Sequence, residues 1–144
     1  IEEGIPVVLF DKISRLIKCN QVVIDDKKAA FEATKYLIDS SCRTIAHVRG
    51  PVKPQTTIHR FLGYKEALEA HGLTYDKTLV FEAEHLSYED GKKVAEEILA
   101  SKQNIDGIFA FTDLLATGLL VKFKEAGIKI PEEVSIMGFS NWFL

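Results

Sequence analysis

Cysteine is scarce in this chain, with two residues, Cys19 and Cys42, in 144, set 23 positions apart with neither a CxxC pair nor a histidine at ligand spacing. That excludes a disulfide framework and a cysteine zinc site, and leaves two reduced structural thiols of the kind found in cytoplasmic proteins. Long apolar runs are also missing: the longest, such as Ile5 to Phe10, fall far short of the roughly 18 to 20 residues that a membrane span needs. No signal peptide opens the sequence, although Ile1 is not an initiator methionine and the natural start is expected upstream. No cluster of five or more Lys and Arg occurs, and the 18 basic residues are outnumbered by 21 acidic ones, for a formal charge of −3. Such a surface does not grip a polyphosphate backbone unaided. What remains is 47% hydrophobic and 27% charged, enough for a soluble domain with a buried core.

Catalytic motifs are absent as well. The sequence holds no G-x-S-x-G elbow, H-E-x-x-H pair, Walker A loop or G-x-G-x-x-G turn. His47, His59, His71 and His85 are scattered, with no i, i+4 pair to share a metal, and each reads as a solvated or core-edge histidine. Adjacent acids at Glu2-Glu3, Asp25-Asp26, Glu96-Glu97 and Glu132-Glu133 point apart on a strand or helix and read as exposed charge. Without a nucleophile, base and orienter set, no enzyme activity, metal or cofactor is expected.

Short runs rich in Val, Ile and Phe alternate with stretches of helical spacing, the pattern of βαβ units. Strands are predicted at Val7–Asp11, Val22–Asp25, Thr44–Arg49, Leu79–Ala83, Gly107–Thr112 and Ser135–Phe139. Ile108-Phe109-Ala110-Phe111 is apolar on both faces, which suits a central parallel strand covered on each side. Amphipathic helices are predicted over Lys28–Asp39, Ile58–His71, Tyr88–Ala100 and Leu114–Ala126. Gly72 and Gly127 serve as left-handed stops, Ser87 with Asp90 resembles a capping box with Asp in place of Glu, and Asp113 is placed as an N-cap.

Ligands of open α/β sheets bind beyond the carboxyl ends of the strands, facing helix N-termini. This sequence puts Asp11, Lys12, Asp25, Arg49 to Lys53, Glu84 to Ser87, Thr112, Asp113 and Ser140 to Trp142 there. Fork-like donors, carboxylates and a flat ring together suit a polyhydroxylated molecule, while any α/β domain carries polar loops at this edge.

Several of these segments, taken in order, resemble one family. They are Gly4-Ile5-Pro6-Val7-Val8-Leu9-Phe10-Asp11-Lys12; Val23-Ile24-Asp25 with the helix to Ile38; Arg43-Thr44-Ile45-Ala46-His47-Val48 with Gly50-Pro51; Arg60-Phe61-Leu62-Gly63-Tyr64; Phe111-Thr112-Asp113 with Ala116-Thr117-Gly118; and Ile130-Pro131-Glu132-Glu133-Val134-Ser135-Ile136-Met137-Gly138-Phe139. Together they resemble the effector-binding domain of LacI/GalR-type bacterial transcriptional regulators. The resemblance implies a periplasmic-binding-protein-like fold, a three-layer α/β/α arrangement with a mostly parallel sheet. It implies that residues 1–41 are a remnant of the N-terminal lobe, that 42–144 form an incomplete C-terminal lobe, and that the DNA-reading helix-turn-helix lies outside these residues.

The function so implied is sensing of a small-molecule effector, a sugar or related metabolite, that controls operator DNA binding allosterically in a cytoplasmic homodimeric regulator with no membrane contact. A solute receptor of a sugar transporter shares the fold and is the alternative. The family motif carries a ligand arginine onto Arg60, whose other reading is a surface salt bridge, and a pocket aromatic onto Tyr64, whose other reading is core packing. Asp113 either touches ligand or caps its helix. Thr112 stands where the family often has Asn, Leu86 where many members have an aromatic, and Ser140 where an aspartate is usual. A serine lacks the charged acceptor, whose bond is worth about 1.5–3 kcal/mol, so the departures at 86 and 140 argue against a plain monosaccharide.

Overall fold

The computed structural model of the chain describes residues 6–10 and 17–141. In chain order the elements are strand β1 (Val8–Phe10), β2 (Asn20–Val22), helix α1 (Asp26–Asp39), β3 (Ile45–Arg49), α2 (Gln55–Ala70), β4 (Val80–Glu82) after a single 3₁₀ turn, α3 (Tyr88–Ser101), β5 (Gly107–Ala110), α4 (Asp113–Glu125) and β6 (Ser135–Met137). β1 and β2 pair in parallel, and a second parallel sheet runs β4-β3-β5-β6.

Period two along the central strands builds the three layers. Ala46 and Val48 of β3, with Ile108 and Ala110 of β5, face Val94, Ala95 and Ile98 of α3 and Leu115, Leu119 and Phe123 of α4. Ile45 and Phe109 face the other way, onto Ala30, Leu37 and Ile38 of α1 and Tyr64 and Leu68 of α2. Both faces are covered, as expected of a parallel sheet. Each helix pair meets at glycine. A Cβ on Gly63 would lie 2.9 Å from Ala30 Cβ and from the Phe31 amide nitrogen, and one on Gly91 would lie 3.0 Å from Leu115 Cα.

The expected helix stops hold, with Gly72 at φ +72° and Gly127 at φ +79°. Two expectations need correction. The second strand is Asn20–Val22 rather than Val22–Asp25, because backbone pairing with β1 and not the apolar run decides it; Val23 and Ile24 are exposed. The N-cap of α4 is Thr112, whose hydroxyl accepts from the Leu115 amide, and Asp113 is the first helical residue. α1 packs on α2 and on the four-stranded sheet. Asp11, Lys12 and Trp142 lie outside the described residues.

Candidate functional site

All four strands of the larger sheet end at one edge, and α1, α2, α3 and α4 all begin there. Their free first-turn amides give the edge hydrogen-bond donors and a positive dipole end. Three of the helices are capped by side chains: Asp25 accepts from the Lys28 amide, Ser87 from the Asp90 amide and Thr112 from the Leu115 amide. The N-cap of α2 is Pro54, which has no side-chain acceptor.

Arg60, in the second turn of α2, is the hub of the edge. It is 7% exposed. Its Nε donates to Asp26 Oδ1 at 2.7 Å and its Nη1 to the Phe111 carbonyl at 2.6 Å, while Nη2 makes no hydrogen bond among the described residues. The guanidinium carbon lies 3.6 Å from the centroid of Phe139 and 4.4 Å from that of Phe111. One side chain thus joins the start of α1 to the ends of β5 and β6. Neither role expected for Arg60 includes this arrangement: its salt bridge is buried, not on the surface.

Asp26 is the residue that sequence reasoning missed. Read as exposed charge beside Asp25, it is 8% exposed and paired with Arg60, while Asp25 turns back to cap the helix. An acid doublet where strand gives way to helix was the available signal, since its first member is used up as a cap and its second then sits in the first turn, turned toward the neighbouring helix.

Around Arg60 the structure gathers most of the other expected positions. Thr112 follows Phe111 directly, and the Asp113 carboxylate lies against Gly138, just before Phe139 and the exposed Ser140 at φ +111°. Leu86, 40% exposed, lies over Gly50, where an added Cβ would meet Leu86 Cδ2 at 2.7 Å and the Phe111 ring at 3.4 Å. The site is an open edge. A groove of about 270 Å³ on the flank, between α4 and β6, is lined by Asp113, Gly138 and Asn141 but by none of Arg60, Thr112 or Leu86.

Tyr64 is the exception. It is fully buried and its hydroxyl donates at 2.7 Å to the carbonyl of Ile45, the first residue of β3, at the opposite end of the strand from Arg49. Burial pushes its phenol well above the ordinary value, so it stays a neutral donor. Of the two readings, the structure gives core packing; Tyr64 does not line the edge.

His47, expected at the solvent or core edge, is instead at the centre of the core with no exposed surface. Its Nδ1 faces the Phe109 carbonyl at 2.9 Å, so Nδ1 carries the proton, and its ring stacks on Phe109 and Tyr64 at 4.9 and 5.1 Å. Burial, with the nearby Arg49 and Arg60 charges, pushes its pKa down to about 4 against the pull of the Phe109 carbonyl.

Two further edge charges, Arg49 and Asp90, are tied within the protein. Arg49 Nη2 meets Glu82 Oε2 across β3 and β4 at 2.9 Å. Asp90 accepts from the Ser87 hydroxyl at 2.7 Å and from Lys93 at 3.2 Å, contacts that hold its carboxyl below the usual range. Among the described residues no group of three or more His, Cys, Asp or Glu is placed to hold a metal.

Residues 34–144 match the family model of the periplasmic binding protein-like domain. The chain is 32% identical over 142 residues to the HTH-type transcriptional regulator DegA of Bacillus subtilis, covering 99% of this chain and 42% of that protein. Among solved structures, the transcription regulator CcpA of Lactococcus lactis superposes with a TM-score of 0.84 at 37% identity, covering 94% of this chain and 49% of that one. A transcriptional regulator CelR–cellobiose complex superposes with a TM-score of 0.81 at 31% identity, covering 95% and 42%. The chain therefore spans between two fifths and one half of the relatives it matches.

Proposed function

The chain belongs to the periplasmic binding protein-like family, in the form that family takes in LacI-type transcriptional regulators, and from this membership we propose that it is the effector-sensing part of such a regulator. The single observation that carries the reading is the convergence on one strand-end edge of a fixed guanidinium, Arg60, with Thr112, Asp113, Ser140 and Leu86. The effector is a small polar metabolite of the carbohydrate type, and the cellobiose bound in the CelR complex supports that class. Arg60 Nη2 donates to an effector hydroxyl, Thr112 and Ser140 offer hydroxyls, Asp113 accepts, and Leu86 gives an apolar wall. Tyr64 acts at one remove by holding α2 on β3.

Residues 42–144 form most of one lobe, and the effector bridges this edge to a second lobe to which β1 and β2 contribute. Closure is coupled to operator affinity through a helix-turn-helix outside these residues, in a cytoplasmic homodimer that carries out no chemistry on the effector. Such coupling is typically about 1–3 kcal/mol. No helix among the described residues is long and apolar enough to cross a membrane.

The test is calorimetry and operator mobility shift on the full-length protein with a panel of neutral saccharides that includes cellobiose, with light scattering for the dimer. Saturation of one site per subunit, with a change in operator affinity of about fivefold or more, is expected. Absence of both responses across the panel, or a monomer at micromolar concentration, counts against the reading.

A further inference from the structure

We infer that Asp26 is a specificity-determining positioning residue, which cancels the charge of Arg60 and restricts the edge to uncharged, hydroxyl-bearing effectors. The inference rests on the effector-sensing reading and adds to it the charge class of the ligand.

Arginine binds phosphate or carboxylate best as a fork, with two parallel N–H groups on two oxygens. In this protein each edge of the fork already has one nitrogen engaged. The Nε–H is spent on Asp26 at 2.7 Å and one Nη1–H on the Phe111 carbonyl at 2.6 Å, which leaves the second Nη1–H and the two N–H groups of Nη2. With the Nε–H taken, the Nε/Nη2 edge gives no bidentate clamp on an oxyanion, while the remaining donors suit hydroxyls. The faces of the guanidinium are closed too, by Phe139 at 3.6 Å and Phe111 at 4.4 Å.

Charge counts the same way. The ion pair of Asp26 and Arg60 is neutral and buried, so a dianion beside it gains no net attraction. Arg49 is paired with Glu82, and Lys53, on the loop before α2, is exposed and screened by water. On the other side stand Asp25, Glu84, Asp90 and Asp113, all on the loops or first turns that open from the strand ends. With Lys27 paired to Glu66 and Lys28 exposed beside Asp25, the edge offers a phosphate no excess of cation over carboxylate.

The full-length protein is titrated by calorimetry with matched probes: glucose, cellobiose and uridine, each with its monophosphate ester. The neutral member of at least one pair is expected to bind tenfold or more tighter than its phosphate, and D26N, which keeps an acceptor oxygen but removes the charge, is expected to shrink that ratio at least threefold. Tighter binding of a phosphate by the wild-type protein overturns the inference and leaves the sensing reading standing. Binding of no member of any pair overturns the inference as well, and the sensing reading falls with it only when operator affinity also ignores every probe. An unchanged ratio in folded D26N overturns the role of Asp26. Should D26N fail to fold, D26N/R60Q, which removes both charges, is expected to keep the neutral preference at weaker affinity; a switch to the phosphate overturns the inference.

Discussion

Replacing Arg60 with methionine while Asp26 stays in place tests the buried ion pair at its most exposed assumption. Methionine keeps most of the apolar stem that packs beside Phe111 and Phe139 but removes the charge, the 2.7 Å bond to Asp26 and the 2.6 Å bond to the Phe111 carbonyl. Asp26 is then a carboxylate with little exposed surface and no counter-charge. Breaking a buried pair from one side costs about 3–5 kcal/mol, far above the roughly 0–1 kcal/mol of an exposed bridge such as Lys27 with Glu66. With a urea slope of about 2 kcal/mol/M, the unfolding midpoint falls by about 1.5–2.5 M. The double variant R60M/D26L removes both charges, and the interior it leaves is apolar, so it recovers most of the loss. Urea denaturation followed by circular dichroism measures all three proteins. A single-variant loss below about 1 kcal/mol, or a double variant no better than R60M, would refute the claim that the pair is buried and coupled.

The other expectations follow from the same coordinates. Gly118→Ala gains about 1 kcal/mol of helix preference, but its new Cβ meets the Lys92 amide nitrogen at 2.7 Å and the Gly91 carbonyl carbon at 2.8 Å; backbone cannot swing aside, so a net loss of about 1–2 kcal/mol in thermal or urea unfolding is expected, and a gain would show that α3 and α4 separate freely. His47 has a folded pKa of about 4 against 6.5 unfolded, so the unfolded chain binds the extra proton between those values and stability falls as pH drops through that window, by about 3 kcal/mol in all. His47→Phe removes that part of the slope, and the His47 imidazole NMR signal, identified by its loss in His47→Phe, would contradict the burial if it titrated near pH 6.5 in the native protein. Thr112→Ala removes the cap of α4, whose bond to the Leu115 amide is long at 3.4 Å, and a loss of only about 0.5–1 kcal/mol in urea unfolding is expected.

The layers were legible from periodicity because a parallel sheet covered on both sides forces apolar residues onto both faces of its strands, and Ile108 to Phe111 carries that signature undiluted. Helix ends were legible where a single residue sets them, as at Ser87 and Gly127, since caps and left-handed stops are local physics. Strand β2 was not: Val22 to Ile24 is as apolar as a core strand, yet pairing with β1 is a matter of partner and register, which no single segment states. Tyr64 shows the corresponding limit at the site. Spacing placed it one turn from Arg60 on α2, but one turn along a helix that runs away from the edge carries the side chain some 6 Å deeper, from the mouth to the carbonyl of Ile45.

Asp26 carries the lesson further. Its neighbour, its composition and its position before a helix all suit a solvated acid, and only the crossing of α1 over α2 makes it otherwise. That crossing is close because Gly63 has no side chain: a Cβ there would run into Ala30 Cβ, the Phe31 amide and the Lys27 carbonyl. The glycine in the Arg-x-x-Gly-Tyr motif therefore lets α1 approach, α1 brings Asp26 to Arg60, and Asp26 fixes which N–H groups of Arg60 are left to donate. The motif reads as a binding signature when its arginine is considered alone. In the folded chain its glycine does as much to shape the donor as the arginine does, because without the close approach the guanidinium has no fixed direction and no cancelled charge.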